Sequence, residues 1–205
     1  LLIDSGGQYL NGTTDITRVA PIGMVSAEQK RDFTLVLKGM IALSCMQFPR
    51  GTFSTVLDTA ARAPIWAEGI NYGHGTGHGV GYFLNVHEGP QSISCLAIPD
   101  ADMVMEEGMI TSNEPGIYRP GKWGVRIENL MLCIPAGKTE FGEYLKFETL
   151  TLCPIDTRCI DLALMRDDEL GWLNDYHATV RQRLSSRVKG NAKAWLERRT
   201  EMLLR

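Results

Sequence analysis

The chain of 205 residues lacks several features that mark common classes of protein. No apolar run reaches the 18 residues that suggest a transmembrane helix, so we expect no membrane span. The formal charge is only −3, which gives no reason to expect nucleic acid as a partner. With 44% hydrophobic residues, the composition favours a globular protein with one main domain.

Paired cysteine motifs are also missing. The five cysteines are an odd number and include no CxxC spacing. They therefore predict neither a disulfide framework nor a zinc site of the CxxC type. Reduced, mostly buried thiols are typical of a cytoplasmic protein, and this is the location that we expect.

The apolar periodicity predicts strands and helices in a mixed order. The chain starts without Met at LLID, which resembles the middle of a buried strand, so we expect an upstream part of the domain to be missing. Turn and cap signals then divide the remainder. The predicted strands cover residues 1–4, 13–20, 109–118, 124–134 and 144–153, and the predicted helices cover 26–47, 54–68, a segment from 167, and 191–204.

Two glutamates in the second half pose an electrostatic problem. The turn signal Pro120-Gly121 lies midway between Glu114 and Glu128, so folding there places the two carboxylates opposite each other. Like charges opposed on a partly buried sheet are destabilising. Either one glutamate is protonated or a cation lies between them.

Two aspartates pose the same problem near the start of the chain. A tight turn at Asn11-Gly12 would place Asp15 opposite Gln8 rather than Asp4. A β-bulge at Gly6-Gly7 would shift this register, and we predict one there. Taken alone, each acidic pair could equally be a turn aspartate or an edge glutamate.

Histidine is scarce, yet three of the four histidines fall between residues 74 and 87. Glycines alternate through Gly73–Gly81, and this spacing makes a helical metal motif very unfavourable. We expect a strand or loop in which other groups approach the backbone closely. A single histidine would most simply be a hydrogen-bonded core residue, but three in one such run favour a site.

Four carboxylates and one histidine would form a site rich in oxygen ligands. Four negative charges balance two divalent ions, and such ligands suit Mn²⁺, or Co²⁺ in vitro, better than a structural zinc site. A pair of metal ions can lower the pKa of a shared water and polarise a carbonyl group. The residues therefore favour hydrolytic chemistry.

Five motifs in this order resemble the pita-bread metallopeptidases of the M24 type. That family includes methionine aminopeptidase, prolidase and aminopeptidase P, and the similarity is greatest to the large cytosolic aminopeptidase P subgroup. It implies an α+β fold in which helices flank a curved antiparallel sheet. The motifs are IDSGGQYLNGTTDITR, GHGTGHGVG, NVHEGP, NEPGIY and GVRIEN.

The resemblance implies a ligand set for two divalent ions. Asp4 would bind one ion through both oxygens, while Asp15 and Glu128 would bridge the two ions. His78 and Glu114 would complete the coordination of the second ion. Mn²⁺ is the expected metal, with Co²⁺ and Zn²⁺ as alternatives.

The resemblance also implies the catalytic roles. Glu114 would accept a proton from the bridging water. His74 and His87 match histidines that bind the substrate and stabilise the tetrahedral intermediate. Tyr118 and Arg126 match residues that hold the ligands in place, although Arg126 could be a plain ion-pair partner.

The implied reaction removes an N-terminal residue that precedes proline. A metal-bridged hydroxide would attack the Xaa-Pro carbonyl, and the proline ring would lie in an apolar pocket beside His74 and His87. Prolidase, which accepts only dipeptides, is the nearest alternative. A peptide-binding protein on the same fold and an inactive fragment are the others.

The tail, LTLCPIDTRCIDLALM followed by WLNDYH, resembles the C-terminal extension of that subgroup. We expect a catalytic domain over residues 1–154 and a helical extension over residues 155–205. A homodimer is expected, as in relatives, unless the apolar residues of the extension pack within the chain. Its predicted surface consists of Trp172, Leu173, Tyr176, Trp195 and Leu196.

Overall fold

A computed structural model describes residues 1–205. The chain forms ten strands and four α-helices, and every strand pair is antiparallel. The strands are β1 Leu2–Tyr9, β2 Gly12–Val19, β3 Gln47–Pro49, β4 Gly77–His78, β5 Ser92–Ile93, β6 Ile110–Asn113, β7 Gly116–Arg119, β8 Trp123–Arg126, β9 Asn129–Thr139 and β10 Gly142–Thr149. The helices are α1 Ala27–Ser44, α2 Ser54–Trp66, α3 Asp167–Leu184 and α4 Gly190–Arg199.

Helix α1 begins at the predicted capping box. The Gln29 backbone N–H donates to Ser26 Oγ at 3.2 Å, and the Ser26 backbone N–H donates to Gln29 Oε1 at 2.9 Å. These bonds satisfy two donors that would otherwise lack partners at the start of the helix. The helix packs on α2 and carries much of the core.

The glutamate hairpin has the predicted register. Gly116 pairs with Arg126 between β7 and β8, and Asn113 pairs with Asn129 between β6 and β9. Glu114 therefore lies opposite Glu128, in the gap between the two ladders. Each strand predicted over this region is split in two at its glutamate, so Glu114 and Glu128 lie between consecutive strands.

The aspartate hairpin differs from the prediction. Its two-residue loop is Leu10-Asn11, and the ladder from Tyr9–Gly12 to Leu2–Val19 runs without a bulge. Asp15 consequently pairs with Gly6, not with Gln8. Asp4 pairs with Thr17, so the two aspartates are diagonal neighbours on one face of the sheet, and no bulge is needed to bring them together.

The glycine run forms the short strand β4 and adjoining loop, as expected. A Cβ atom on Gly77 would collide with the backbone oxygen of Ser112, and one on Gly79 would collide with that of Glu88. Neighbouring backbone therefore approaches the run as closely as predicted. His78 lies between these two glycines and donates its backbone N–H to Ser112 Oγ at 3.0 Å.

Two clusters of buried apolar residues form the core. The larger one joins α1 to α3 and α4, so it includes residues from both sides of position 154, and the division at that position stays a prediction. Leu173, Tyr176 and Leu196 are buried in this cluster, so they are not part of a dimer surface, whereas Trp195 is 44% exposed.

All five cysteines are free, and only Cys133 and Cys159 are buried. No helix combines the length and the apolar character needed to cross a membrane.

Candidate metal centre

All five predicted metal ligands converge at one place in the fold. Three overlapping groups each have their donor atoms within 4.8 Å of one another. The first two groups contain the predicted ligands, and the third adds His87 to two of them. The groups are Asp4 with Asp15 and Glu128, His78 with Glu114 and Glu128, and Asp15 with His78 and His87.

His78 lies between two of the carboxylates. Its Nε2 atom is 3.5 Å from Asp15 Oδ2 and 3.2 Å from Glu114 Oε1. Its Nδ1 atom contacts the backbone oxygen of Gly79 at 3.0 Å. A proton on Nδ1 would leave Nε2 free to act as a metal ligand facing both carboxylates.

The cluster concentrates negative charge in a partly buried place. Burial and the charges of Glu114 and Asp15 raise the pKa of Glu128, which is 1% exposed, to about 8. Burial lowers the pKa of His78, but hydrogen bonds to Asp15 and Glu114 outweigh it and raise that pKa to about 10. Protons bound to Glu128 and His78 reduce the repulsion among the carboxylates. Divalent cations would reduce the same repulsion by taking the place of these protons.

The predicted supporting residues form a chain of hydrogen bonds. His74 Nε2 lies 2.8 Å from the hydroxyl of Tyr118, and Arg126 Nη1 donates to that hydroxyl at 3.0 Å. Arg126 Nη2 donates to Asp4 Oδ2 at 2.6 Å, and its Nε atom lies 3.6 Å from Glu114 Oε2. Arg126 is thus an ion-pair partner of two predicted ligands. Its two predicted roles, as an ion-pair partner and as a residue that holds the ligands in place, are therefore compatible.

The cleft beside the histidines is more polar than expected. Its volume is about 360 Å³, and the nine residues around it include glycines, serines, histidines, Glu114 and Arg126, but no apolar side chain. The residues that line this cleft therefore do not form the apolar pocket that was predicted beside His74 and His87. Nearby apolar groups belong to the exposed loop Tyr82–Val86, which leads into His87.

Three supporting residues, Thr17, Arg18 and Ser112, are not among those predicted from the sequence. Thr17 is buried, and its hydroxyl donates to Glu128 Oε2 at 2.7 Å, while the Ser112 hydroxyl donates to Glu114 Oε1 at 3.2 Å. Arg18 Nη1 donates to the backbone oxygen of Glu128 at 2.5 Å. Their closeness in sequence to predicted ligands could have indicated these residues. Thr17 and Arg18 follow Asp15 within one motif, and Ser112 precedes Glu114 by two residues.

The donor set fits divalent cations. Four carboxylates and one imidazole form overlapping groups whose donor atoms lie within 4.8 Å of one another, and the carboxylates match the charge of two such ions. Ligating carboxylates normally have hydrogen-bond donors around them, and Thr17, Ser112 and Arg126 supply these.

Sequence comparison settles the family. The profile of metallopeptidase family M24 matches residues 1–135, and the profile of the C-terminal region of peptidase M24 matches residues 143–203. The chain belongs to metallopeptidase family M24. The matched residues 1–135 contain all five of the converging residues.

Among curated M24 relatives, the chain is similar to a probable Xaa-Pro aminopeptidase P of Laccaria bicolor, with 47% identity over 203 residues. That match covers 96% of this chain and 31% of the relative. Aminopeptidase P2 of Arabidopsis thaliana is 48% identical over 207 residues, which cover 98% of this chain and 29% of the relative. The chain therefore spans about a third of the length of these relatives.

A solved structure confirms the pita-bread fold. The chain resembles the X-prolyl aminopeptidase of Caenorhabditis elegans, which is described as a cytosolic enzyme with a dinuclear active site. The TM-score is 0.91 at 38% identity, and the match covers 98% of this chain and 33% of that one. The predicted fold class, a mixed α+β arrangement with antiparallel strands, is correct.

Proposed function

We propose that the chain carries the metal centre of an enzyme that hydrolyses the N-terminal Xaa-Pro bond of peptides. The observation that carries this proposal is the convergence of Asp4, Asp15, His78, Glu114 and Glu128. The names of the relatives, which are Xaa-Pro aminopeptidases, support the choice of substrate. Because the chain spans only about a third of those relatives, the activity of the whole protein is part of the proposal.

The five residues would hold two divalent ions, with Asp15 and Glu128 shared between them. We infer that Mn²⁺ is the native metal, since carboxylate-rich ligand sets suit it, while Co²⁺ and Zn²⁺ remain alternatives. When bound, the ions would supply a water of lowered pKa and would polarise the scissile carbonyl group. The chain itself would supply the proton acceptor and the groups that orient the peptide.

Glu114 would act as the general base. Its two oxygens face different partners, since Oε1 accepts from Ser112 at 3.2 Å and Oε2 faces Arg126 Nε at 3.6 Å. The side chain is 17% exposed and lines the cleft, while Ser112 and Arg126 fix its orientation. A carboxylate fixed in this way can accept the proton of the attacking water.

His74 and His87 would bind the substrate from the open side of the centre. The His74 ring lies beside Tyr118, and the His87 ring lies 4.1 Å from that of His78, measured between centroids. An N–H or O–H group at this position can donate to the oxygen that becomes negative during attack. The two histidines would therefore orient the carbonyl and stabilise its developing charge.

The location and assembly of the protein are also proposals. A cytoplasmic location is supported by the five free cysteines and by the description of the Caenorhabditis elegans enzyme as cytosolic. A homodimer is kept as a proposal, although its surface must differ from the one predicted, because Leu173, Tyr176 and Leu196 are buried.

The deciding experiment compares Xaa-Pro dipeptides with Xaa-Pro-Yaa tripeptides in the presence of Mn²⁺. It uses this chain alongside the longest form of the protein that its gene encodes. Cleavage of the tripeptide at its first bond alone supports the proposal. Hydrolysis of dipeptides only would identify a prolidase, and peptide binding without hydrolysis by metal-loaded protein would identify a binding module.

A further inference from the structure

Arg18 joins three separate parts of the chain behind the metal centre. It lies on β2, and none of the hydrogen-bond acceptors of its guanidinium is a carboxylate. Its donors instead all reach neutral oxygens. The acceptors are the backbone oxygens of Thr17, Glu128, Cys153 and Pro154, the Asn129 side chain and the Tyr176 hydroxyl.

Thr17 and Arg18 hold Glu128 through three hydrogen bonds. The Glu128 backbone N–H donates to the Thr17 oxygen at 3.1 Å, its backbone oxygen accepts from Arg18, and its carboxylate accepts from the Thr17 hydroxyl. Glu128 is 1% exposed and lies outside the β8 and β9 ladders, so sheet pairing does not hold it. Its position depends on Thr17 and Arg18.

Arg18 is itself held by a residue of the C-terminal region. Tyr176 of α3 is 7% exposed, and its hydroxyl accepts from Arg18 Nη2 at 2.9 Å and faces the Cys153 oxygen at 2.8 Å. Its ring stacks on Trp172, with centroids 5.3 Å apart and an angle of 7° between the planes. The hydroxyl is thus held by helix α3 and by the backbone of Cys153, in the segment that follows β10.

We propose that Tyr176 is a positioning residue for the metal centre and acts on Glu128 through Arg18. This inference rests on the proposed function, since Glu128 is expected to bridge the two ions. It assigns a role to the C-terminal region, because α3 would keep the shared ligand in place for metal binding. Tyr176 itself touches neither substrate nor metal in this arrangement.

The test is Tyr176→Phe, which keeps the ring and its stacking on Trp172 but removes the hydroxyl. The matched control is Val180→Ala, on the same helix, because Val180 is fully buried in the same core cluster but its apolar side chain makes no hydrogen bond to Arg18. Mn²⁺ affinity is measured by calorimetric titration and stability by thermal unfolding. We expect Tyr176→Phe to weaken Mn²⁺ binding roughly tenfold, as is typical for groups that support a ligand.

The control separates positioning from general weakening of the fold. Val180→Ala should lower the melting temperature through its cavity yet leave Mn²⁺ affinity within about twofold, since ligand geometry is untouched. Equal affinity in Tyr176→Phe and the unsubstituted chain would overturn the inference, and so would equal losses in both variants. If the unsubstituted chain binds no Mn²⁺, the proposed function fails first and the inference fails with it.

Discussion

At the scale of single residues, the proposed general base is Glu114. Replacing it by Gln keeps the size of the side chain and the hydrogen bond from Ser112 but removes the basic oxygen. General base catalysis contributes about a hundredfold to ten-thousandfold, so we expect kcat of Glu114→Gln to fall by at least about a hundredfold. Steady-state hydrolysis of an Xaa-Pro tripeptide measures this, and an unchanged circular dichroism spectrum verifies the fold. Activity close to that of the unsubstituted chain would refute the proposed role of Glu114.

The fourth histidine, His177, is not part of the metal centre, and its burial predicts a dependence of stability on pH. It is 1% exposed and accepts the Ile155 backbone N–H at its Nε2 atom, at 3.1 Å. Burial and the charges of Arg18 and Arg181 lower its pKa from 6.5 to about 4. The folded state therefore keeps this ring neutral between about pH 4 and 6.5, whereas the unfolded chain protonates it.

Because the unfolded state binds the extra proton, this residue makes stability fall as the pH drops from 6.5 toward 4. Between pH 7.5 and 5, the free energy of unfolding should fall by about 2 kcal/mol more in the unsubstituted chain than in His177→Gln, which retains an acceptor. Urea unfolding at both pH values measures the difference. Parallel losses in the two proteins would contradict the assigned state of His177.

At the scale of elements, a buried ion pair connects α2 to the histidine-bearing loop. Arg62 and Asp58 are 1% and 0% exposed, and Arg62 Nε donates to Asp58 Oδ2 at 2.7 Å. Arg62 also donates to the backbone oxygens of Tyr72 and His74, and Asp58 accepts from the Thr76 hydroxyl. The pair therefore fixes the backbone on both sides of His74.

Removing one partner of this pair leaves a buried charge without compensation. We expect Arg62→Met to reduce the free energy of unfolding by about 3–5 kcal/mol. Adding Asp58→Asn to that variant should restore part of the loss, because the orphaned charge is then gone. Denaturant unfolding of the two variants measures this coupling. A double variant no more stable than Arg62→Met would show that charge is not the cause.

The two acidic hairpins show how far the sequence could predict these elements. Pro120-Gly121 fixes its turn through the restricted backbone of proline, so the opposition of Glu114 and Glu128 followed directly. At the first hairpin, the observed loop, Leu10-Asn11, lies one residue before the predicted loop, Asn11-Gly12. This difference shifts the pairing partner of every residue by two positions. Local turn preferences did not determine that choice, whereas the hydrogen bond of Thr13 to Gln8 at 2.9 Å stabilises the observed register.

Contacts between distant segments were beyond prediction from local patterns. The apolar stripe of α3 was visible in the sequence, but periodicity cannot tell whether a stripe faces the chain's own core or a partner. The structure turns Leu173 and Tyr176 inward, toward a core that α1 also builds. The bond from Arg18 to Tyr176 joins residues 158 positions apart, and no local pattern signals it.

At the scale of the whole molecule, the fold gathers ligands from three parts of the chain. Two come from the β1–β2 hairpin, one from the glycine run, and two from the split strands around Glu114 and Glu128. Each contribution carries negative charge or an imidazole that is costly to bury near the others. A pair of divalent cations is the partner that best matches this charge.

Metal stoichiometry tests this central claim most directly. The chain is dialysed to equilibrium against Mn²⁺, and the bound metal is measured by elemental analysis together with a Glu128→Gln variant. We predict about two Mn²⁺ ions per unsubstituted chain, from the balance of four carboxylates with two divalent charges, and at most about one in the variant, which loses a shared ligand. An unsubstituted chain that binds no Mn²⁺, Co²⁺ or Zn²⁺, or binds equally well without Glu128, would contradict the account.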